Sequence, residues 1–271
     1  MKPHPLIARL DRIHPGYGEY AFCPLGQLGF AVKLGDDTLW FDPYLSPDRS
    51  RLVPPALPPS ALTGATLVLG SHDHGDHIDR PAWPEIAAAS PEARFVVPEA
   101  VRAGIPLPPE RLIGLDDMRT VEWHDIRITG IAAAHEFLDR DAAGRYPYLG
   151  FVVEGNGVTI YHSGDCCVYE GLRAKLASWE KFDLVFLPIN GRDARRLKRN
   201  CIGNMTYQEA ADLAGDLRPG LTVPGHFDMF AMNPGDPRAF ADYMKVKYPG
   251  LACLRPVPGR MVRGKAGKDT L

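Results

Sequence analysis

A short apolar run, Ala65 to Gly70, ends abruptly in Ser71-His72-Asp73-His74-Gly75-Asp76-His77. Three histidines and two aspartates fall within the six positions from His72 to His77. A fold that accepts this sequence must bring a buried strand to its end and turn the chain at Gly75, so that the polar side chains converge. Alternate residues of an extended segment share a face, so His72 and His74 project to one side. Asp76 and His77 then turn towards a neighbouring position. Imidazole nitrogen and carboxylate oxygen suit a divalent ion such as zinc, manganese or iron. The plain alternative is a solvated polar loop, but burying so many partly charged groups without an ion is costly.

The rest of the chain supplies strands that end in the same kinds of side chain. Gln27 to Leu34 and Thr38 to Phe41, joined by Gly35-Asp36-Asp37, read as a hairpin running into Asp42-Pro43. The proline-rich stretch Leu45 to Ser60 excludes a regular helix or central strand and reads as a surface loop. Glu85 to Ser90 reads as helical, and Arg94 to Val97 and Arg111 to Leu115 as short strands. Thr120 to Trp123 with Ile126 to Ala132 suggests a second hairpin, with His135 just beyond it. Leu149 to Val153 and Val158 to Tyr161 flank Gly155-Asn156-Gly157, a tight-turn signal, and Asp165 follows. Phe182 to Leu187 reads as a buried strand. Thr206-Tyr207-Gln208-Glu209 matches a capping box and opens a helix to about Leu217. Leu221 to Val223 is a strand ending at Pro224-Gly225-His226, and Pro237 to Lys247 is the last clear helix. Gly259 to Leu271 reads as a frayed basic tail. The pattern predicts a single α/β domain over residues 1–271, with two sheets and outer helices.

Charge narrows the partners. Lys plus Arg number 31 against 33 Asp plus Glu, a formal charge of −2, so nothing global draws the chain to nucleic acid or an anionic membrane. No stretch approaches the roughly 20 apolar residues that span a bilayer. The five cysteines, Cys23, Cys166, Cys167, Cys201 and Cys253, are odd in number and form no C-x-x-C pair. They argue against a disulfide framework and for a reducing, cytoplasmic setting.

The run His72-x-His74-x-Asp76-His77 resembles the signature of the metallo-β-lactamase superfamily. His135, Asp165 in Ser163-Gly164-Asp165, and His226 in Pro224-Gly225-His226 resemble the later ligands of that family in their order. Asp42 in Trp40-Phe41-Asp42-Pro43 is similar to its early aspartate, which hydrogen-bonds near the metal loop. The resemblance implies an αββα sandwich of two mixed sheets, with one or two ions held by His72, His74, Asp76, His77, His135, Asp165 and His226. Asn190-Gly191-Arg192-Asp193, the segment Gly203 to Ala210, and Pro224 to Phe230 look like the L-ascorbate-6-phosphate lactonase branch. That implies cleavage of a cyclic ester, with Mn2+ or Zn2+ as cofactor. Cys166-Cys167-Val168-Tyr169 departs from that branch, where a Thr- or Ser-containing stretch is more usual, and the chain is shorter than those lactonases.

A bound divalent ion lowers the pKa of its water, and Asp76 and Asp165 are the expected catalytic carboxylates. Arg192, with Asn190, is the expected grip on an anionic small-molecule substrate, because guanidinium meets oxygen pairs bidentately. The surrounding run of Arg195, Arg196, Lys198 and Arg199 reads equally as part of a phosphate or carboxylate clamp near the site, or as a solvated helix face or homo-oligomer contact. His162 reads as a neighbour of the site or as a strand-end histidine satisfied by backbone; His124 reads as solvated. Cys166 and Cys167 read as packing residues, and Met229 and Phe230 as a pocket wall or core. Phosphodiester hydrolysis and a non-catalytic metal-binding protein are the alternatives.

Overall fold

The computed structural model describes residues 2–267. A seven-stranded sheet has the order β13-β1-β2-β3-β4-β5-β6 and a six-stranded sheet the order β12-β11-β10-β9-β8-β7. The first is built from β1 (Glu19–Gly26), β2 (Gly29–Leu34), β3 (Asp37–Phe41), β4 (Leu67–Leu69), β5 (Arg94–Pro98), β6 (Leu112–Leu115) and β13 (Val262–Lys265). The second uses β7 (Thr120–Trp123), β8 (Ile126–Ala132), β9 (Leu149–Gly155), β10 (Val158–His162), β11 (Leu184–Pro188) and β12 (Leu221–Gly225). The helices are α1 (Pro5–Leu10), α2 (Trp83–Ala89), α3 (Leu172–Leu176), α4 (Ala194–Leu197), α5 (Tyr207–Leu217) and α6 (Pro237–Lys247).

Side-chain alternation explains the layering. In β2, Phe30, Val32 and Leu34 join the core between the sheets, while Ala31 faces the opposite layer with Leu6, Ile7, Trp83 and Ile86 of α1 and α2. In the second sheet Phe151 and Val153 face inward. Val152 faces outward, into the cluster of Leu172, Leu213, Phe240 and Met244 from α3, α5 and α6. Both faces of the central strands are covered, so they read as nearly continuous apolar runs. Phe30 stacks on Phe186 across the inter-sheet core with ring centroids 3.9 Å apart, a contact worth about 0.5–1.5 kcal/mol beyond its buried area. This is the αββα sandwich of two mixed sheets expected from the sequence. No helix among the described residues is long and apolar enough to cross a membrane.

The capping box at α5 forms as read: the Glu209 N–H donates to Thr206 Oγ1 at 3.2 Å, and the Thr206 N–H to Glu209 Oε2 at 2.8 Å. Two expectations need correction. The basic tail is not frayed throughout, because Val262–Lys265 pairs antiparallel with β1, Phe22 opposite Val262 and Glu19 opposite Lys265. Residues 268–271 lie outside the described residues. The proline-rich segment after Leu45 is irregular, as expected, but it is pinned as well as exposed. Leu45 and Leu57 are buried, and Asp79 accepts the backbone N–H groups of Leu45 and Ser46 at 2.8 and 2.7 Å.

Candidate metal centre

The polar residues gather at the carboxyl ends of the strands. Asp42 follows β3, Ser71 to His77 follow β4, His135 follows β8, Asp165 follows β10 and His226 follows β12. At β10 the chain must swing sharply, and Gly164 permits it. Its φ is +58°, and a Cβ there would lie 2.4 Å from the Leu149 carbonyl oxygen. Gly70, at the head of the histidine loop, is equally constrained, because a Cβ would lie 2.5 Å from the Ile78 side chain and 2.8 Å from Trp83.

All seven expected ligands meet. The ligand atoms of His72, His74 and His135 lie within 4.8 Å of one another, and so do those of Asp76, His77 and His226. Asp165 joins the two trios. Its Oδ2 is 2.8 Å from His226 Nε2 and 3.6 Å from His135 Nε2, and its Oδ1 is 3.4 Å from His77 Nε2. His72 Nε2 and His74 Nδ1 are 2.9 Å apart.

Electrostatics sets the protonation of this cluster. Burial, reinforced by the neighbouring imidazoles, pushes His72 well below the ordinary histidine range and His135 down to about 4. Burial lowers His74 as well. These three rings are neutral near pH 7 and offer lone pairs. Burial also opposes a charge on His77, but Asp165, Asp42 and Asp76 outweigh it and raise His77 to about 10. Burial works against ionisation of Asp165, yet His226, His77 and His135 hold it well below the usual carboxylate range.

The surroundings orient the ligands. His77 Nδ1–H donates to Asp42 Oδ2 at 2.6 Å, and Asp42 also accepts from the Ser71 N–H and Oγ–H at 2.8 and 2.7 Å. Ser71 Oγ is 3.0 Å from His72 Nδ1, and His135 Nδ1 is 3.1 Å from the Gly203 carbonyl. Such partners fix which ring nitrogen faces a metal. The residues fit a divalent ion. Among the described residues Asp165 Oδ1 is buried without a hydrogen-bond partner, and the donors around it are imidazole and carboxylate.

Residues 37–227 match the family model described as a β-lactamase superfamily domain. The chain belongs to that family. A metal-dependent hydrolase of Thermococcus onnurineus is 26% identical over 228 residues, covering 80% of this chain and 88% of the relative. A metallo hydrolase of the archaeon Ignicoccus hospitalis superposes with a TM-score of 0.68 at 22% identity, covering 91% of this chain and 99% of that one. An isothiocyanate hydrolase from Delia radicum gut bacteria gives 0.69 at 15% identity, covering 91% of this chain and 99% of that one. At these identities the structural likenesses establish the fold alone.

Within this β-lactamase superfamily domain the expected substrate residues are otherwise engaged. Arg192 donates to Glu209 through Nη1 and Nη2 at 2.8 and 2.7 Å, and to the Asn204 carbonyl at 3.0 Å. A substrate grip requires a free guanidinium, and here it is engaged by the capping-box glutamate. Asn190 Nδ2 donates to Asn233 Oδ1 at 2.9 Å, and its Oδ1 accepts from Asn204 Nδ2 at 3.2 Å. His162 is satisfied by backbone, its Nε2 lying 2.8 Å from the Leu28 carbonyl. His124 is exposed, 3.3 Å from Asp37. Cys166 and Cys167 are buried, and burial pushes the Cys166 thiol up to about 12. Met229 is core, whereas Phe230 is partly exposed beside Tyr44. Gln27 and Asn233 near the ligands were missed, as was Tyr148, whose ring centroid lies 5.4 Å from that of His135. Gln27 Nε2 lies 2.5 Å from Asp76 Oδ2, and Asn233 Nδ2 lies 3.4 Å from His226 Nδ1. The one available signal for Gln27 was a polar residue flanked by glycines between two apolar strands.

Proposed function

We propose that this chain is a metal-dependent hydrolase that cleaves a cyclic ester by adding water across its acyl–oxygen bond. One observation carries the reading: the buried carboxylate of Asp165 stands between two ligand trios, and its Oδ1 has no hydrogen-bond partner among the described residues. A divalent ion held there, Mn2+ or Zn2+, would make its water acidic and polarise the scissile carbonyl. Asp165 Oδ1 and Oδ2 reach towards both trios and suit a bridging ligand. The Asp76 side chain is 22% exposed while those of His77 and Asp165 are buried, so Asp76 is the carboxylate that can meet incoming water and accept its proton.

The choice of a cyclic ester rests on the resemblance of the segments around Asn190, Asn204 and His226 to the lactonase branch. With the Arg192 guanidinium engaged by Glu209, Arg192 and Asn190 enter as braces of the rim that holds His135 and His226. Hydrolysis of a phosphodiester uses the same carboxylates and histidines and is the competing substrate class. The test is a panel of neutral lactones, sugar-phosphate lactones, phosphodiesters and β-lactams, assayed on protein loaded separately with manganese and with zinc. Turnover of lactones above the other classes supports the reading. Turnover confined to phosphodiesters replaces it, and no uptake of either metal sinks it.

A further inference from the structure

Each histidine of the second trio is anchored from outside, His77 by Asp42 and His226 by its backbone. Asp76 is different. Among the described residues its carboxylate accepts one hydrogen bond, from Gln27 Nε2 at 2.5 Å. We propose that Gln27 is the positioning residue of the Asp76–His77–His226 trio, its side-chain amide fixing the carboxylate and its backbone carbonyl fixing the histidine. The proposal rests on the metal-centre reading and goes beyond it, because Gln27 lies outside the expected ligand set.

The local sequence places Gln27 there. It sits in the Gly26-Gln27-Leu28-Gly29 connection between β1 and β2, with φ of +97° at Gly26 and 54° at Gln27. A Cβ on Gly26 would lie 2.6 Å from the Met229 side chain, and one on Gly29 would lie 2.8 Å from the Asp42 carbonyl. Glycine at both positions lets the turn press against the segments that carry Asp42 and His226. The Gln27 carbonyl accepts the His226 N–H at 2.7 Å, and His226 itself holds a left-handed φ of 56°. Such backbone in a non-glycine residue persists only where its neighbours over-determine it.

The side chain is directional. An ionised carboxylate only accepts hydrogen bonds, so the amide must turn its N–H groups to Asp76 Oδ2. The same nitrogen is 3.4 Å from His226 Nε2. Gln27 is 5% exposed, and its Oε1 is buried without a hydrogen-bond partner among the described residues, so the amide is held by the carboxylate at the expense of its own oxygen. Gln27 also lines a cavity of about 220 Å³, together with Pro24, Phe30, Val53 and Phe227. Truncation would open the Asp76 carboxylate to that space rather than force the core to collapse, and the variants below should fold.

The experiment titrates wild type, Gln27→Ala and Gln27→Met with cobalt(II), following heat and the visible absorption of the bound ion. Methionine keeps the volume but not the donor. Wild type should take up two equivalents. Both variants should take up the first with wild-type affinity and the second about 10- to 100-fold more weakly, the range seen when an outer partner of a ligand is lost. The absorption of the second equivalent should change as well. If Gln27→Met matches wild type while Gln27→Ala does not, the side chain acts by packing and the proposal falls. It falls too if both variants match wild type, or lose both equivalents alike. Wild type that takes up fewer than two equivalents overturns the proposal through the metal-centre reading itself.

Discussion

Asp42→Asn is nearly isosteric, and its effect on the metal centre follows from hydrogen-bond geometry. The carboxylate serves donors on both oxygens. Oδ1 accepts from the Ser71 N–H at 2.8 Å; Oδ2 accepts from Ser71 Oγ–H at 2.7 Å and His77 Nδ1–H at 2.6 Å. An asparagine keeps one oxygen, and its NH2 must replace the other. Placed against the Ser71 N–H, the NH2 would leave a buried backbone donor unmet at about 1–3 kcal/mol. Placed against His77, it meets an imidazole that can change tautomer and a hydroxyl that can rotate. The second arrangement wins, and His77, once neutral, then keeps its proton on Nε2, the nitrogen that faces Asp165 at 3.4 Å, rather than on Nδ1. A protonated Nε2 has no lone pair for an ion. The expected loss is about 10- to 100-fold in affinity for the ion at the Asp76–His77–His226 trio, or about 1.4–2.8 kcal/mol. Calorimetric titration with manganese and with zinc measures it, with circular dichroism confirming the fold. A folded variant that takes up both ions with wild-type affinity would refute the tautomer reasoning.

Other consequences can be checked alongside. His72→Ala or Asp165→Ala should abolish hydrolysis in a folded protein, as measured by turnover beside circular dichroism; near-wild-type turnover in a metal-verified sample contradicts the ligand assignment. Arg192→Ala should lower activity equally on anionic and neutral lactones, because the guanidinium braces Glu209; a loss confined to the anionic substrate would return Arg192 to the binding site. The partly exposed Arg192–Glu209 pair contributes about 1 kcal/mol at most after solvent screening. The hydrogen bonds from Arg192 depress the Glu209 carboxyl. This stabilisation is therefore present above the ordinary glutamate range, near ~4.3, and fades as pH falls through the lower folded value. Denaturant melts of wild type and Glu209→Gln should converge on acidification. Gly164→Ala should destabilise by about 1–3 kcal/mol and weaken ion uptake, since the positive φ and the Leu149 carbonyl both resist a Cβ.

Much of this architecture was legible because its determinants are local. The Asn156-Gly157 turn, the Thr206–Glu209 capping box and the proline that opens α6 each act within a few residues, and each element formed where its signal lies. The histidine loop was legible for a similar reason, since its composition has almost no meaning apart from convergence on one point. The missed elements include β1, α3 and α4, and two others had weak local codes. Helix α1 is six residues long and opens on Pro5 with His4 as its cap. Strand β13 is written in Val262-Arg263-Gly264-Lys265, with alternating partly buried and exposed positions, and gains its order from β1 more than two hundred residues away. Edge strands of this kind carry charge by design against aggregation, which in sequence looks like a tail.

Arg192 marks the boundary between what composition can say and what only packing decides. It follows a buried strand, and its neighbour Asn190 is linked through Asn233 to His226. Glu209 was read correctly, as the last member of a capping box. Nothing in either local pattern says that the two meet. A capping-box glutamate uses one carboxylate oxygen on the backbone and leaves the other free. Here Oε2 accepts from the Thr206 N–H and Arg192 Nη1, both at 2.8 Å, and Oε1 accepts from Nη2 at 2.7 Å. The fork geometry that made arginine attractive as a substrate grip is the same geometry that makes a nearby carboxylate a strong competitor. An anionic substrate would have to displace an intramolecular partner already held in place by α5. Asp76 presents the opposite case. Its role could be anticipated from the histidine loop, but its orientation depends on a glutamine in a turn 49 positions earlier. In both cases the chemistry of the single residue was legible, and the identity of its partner was settled by the fold.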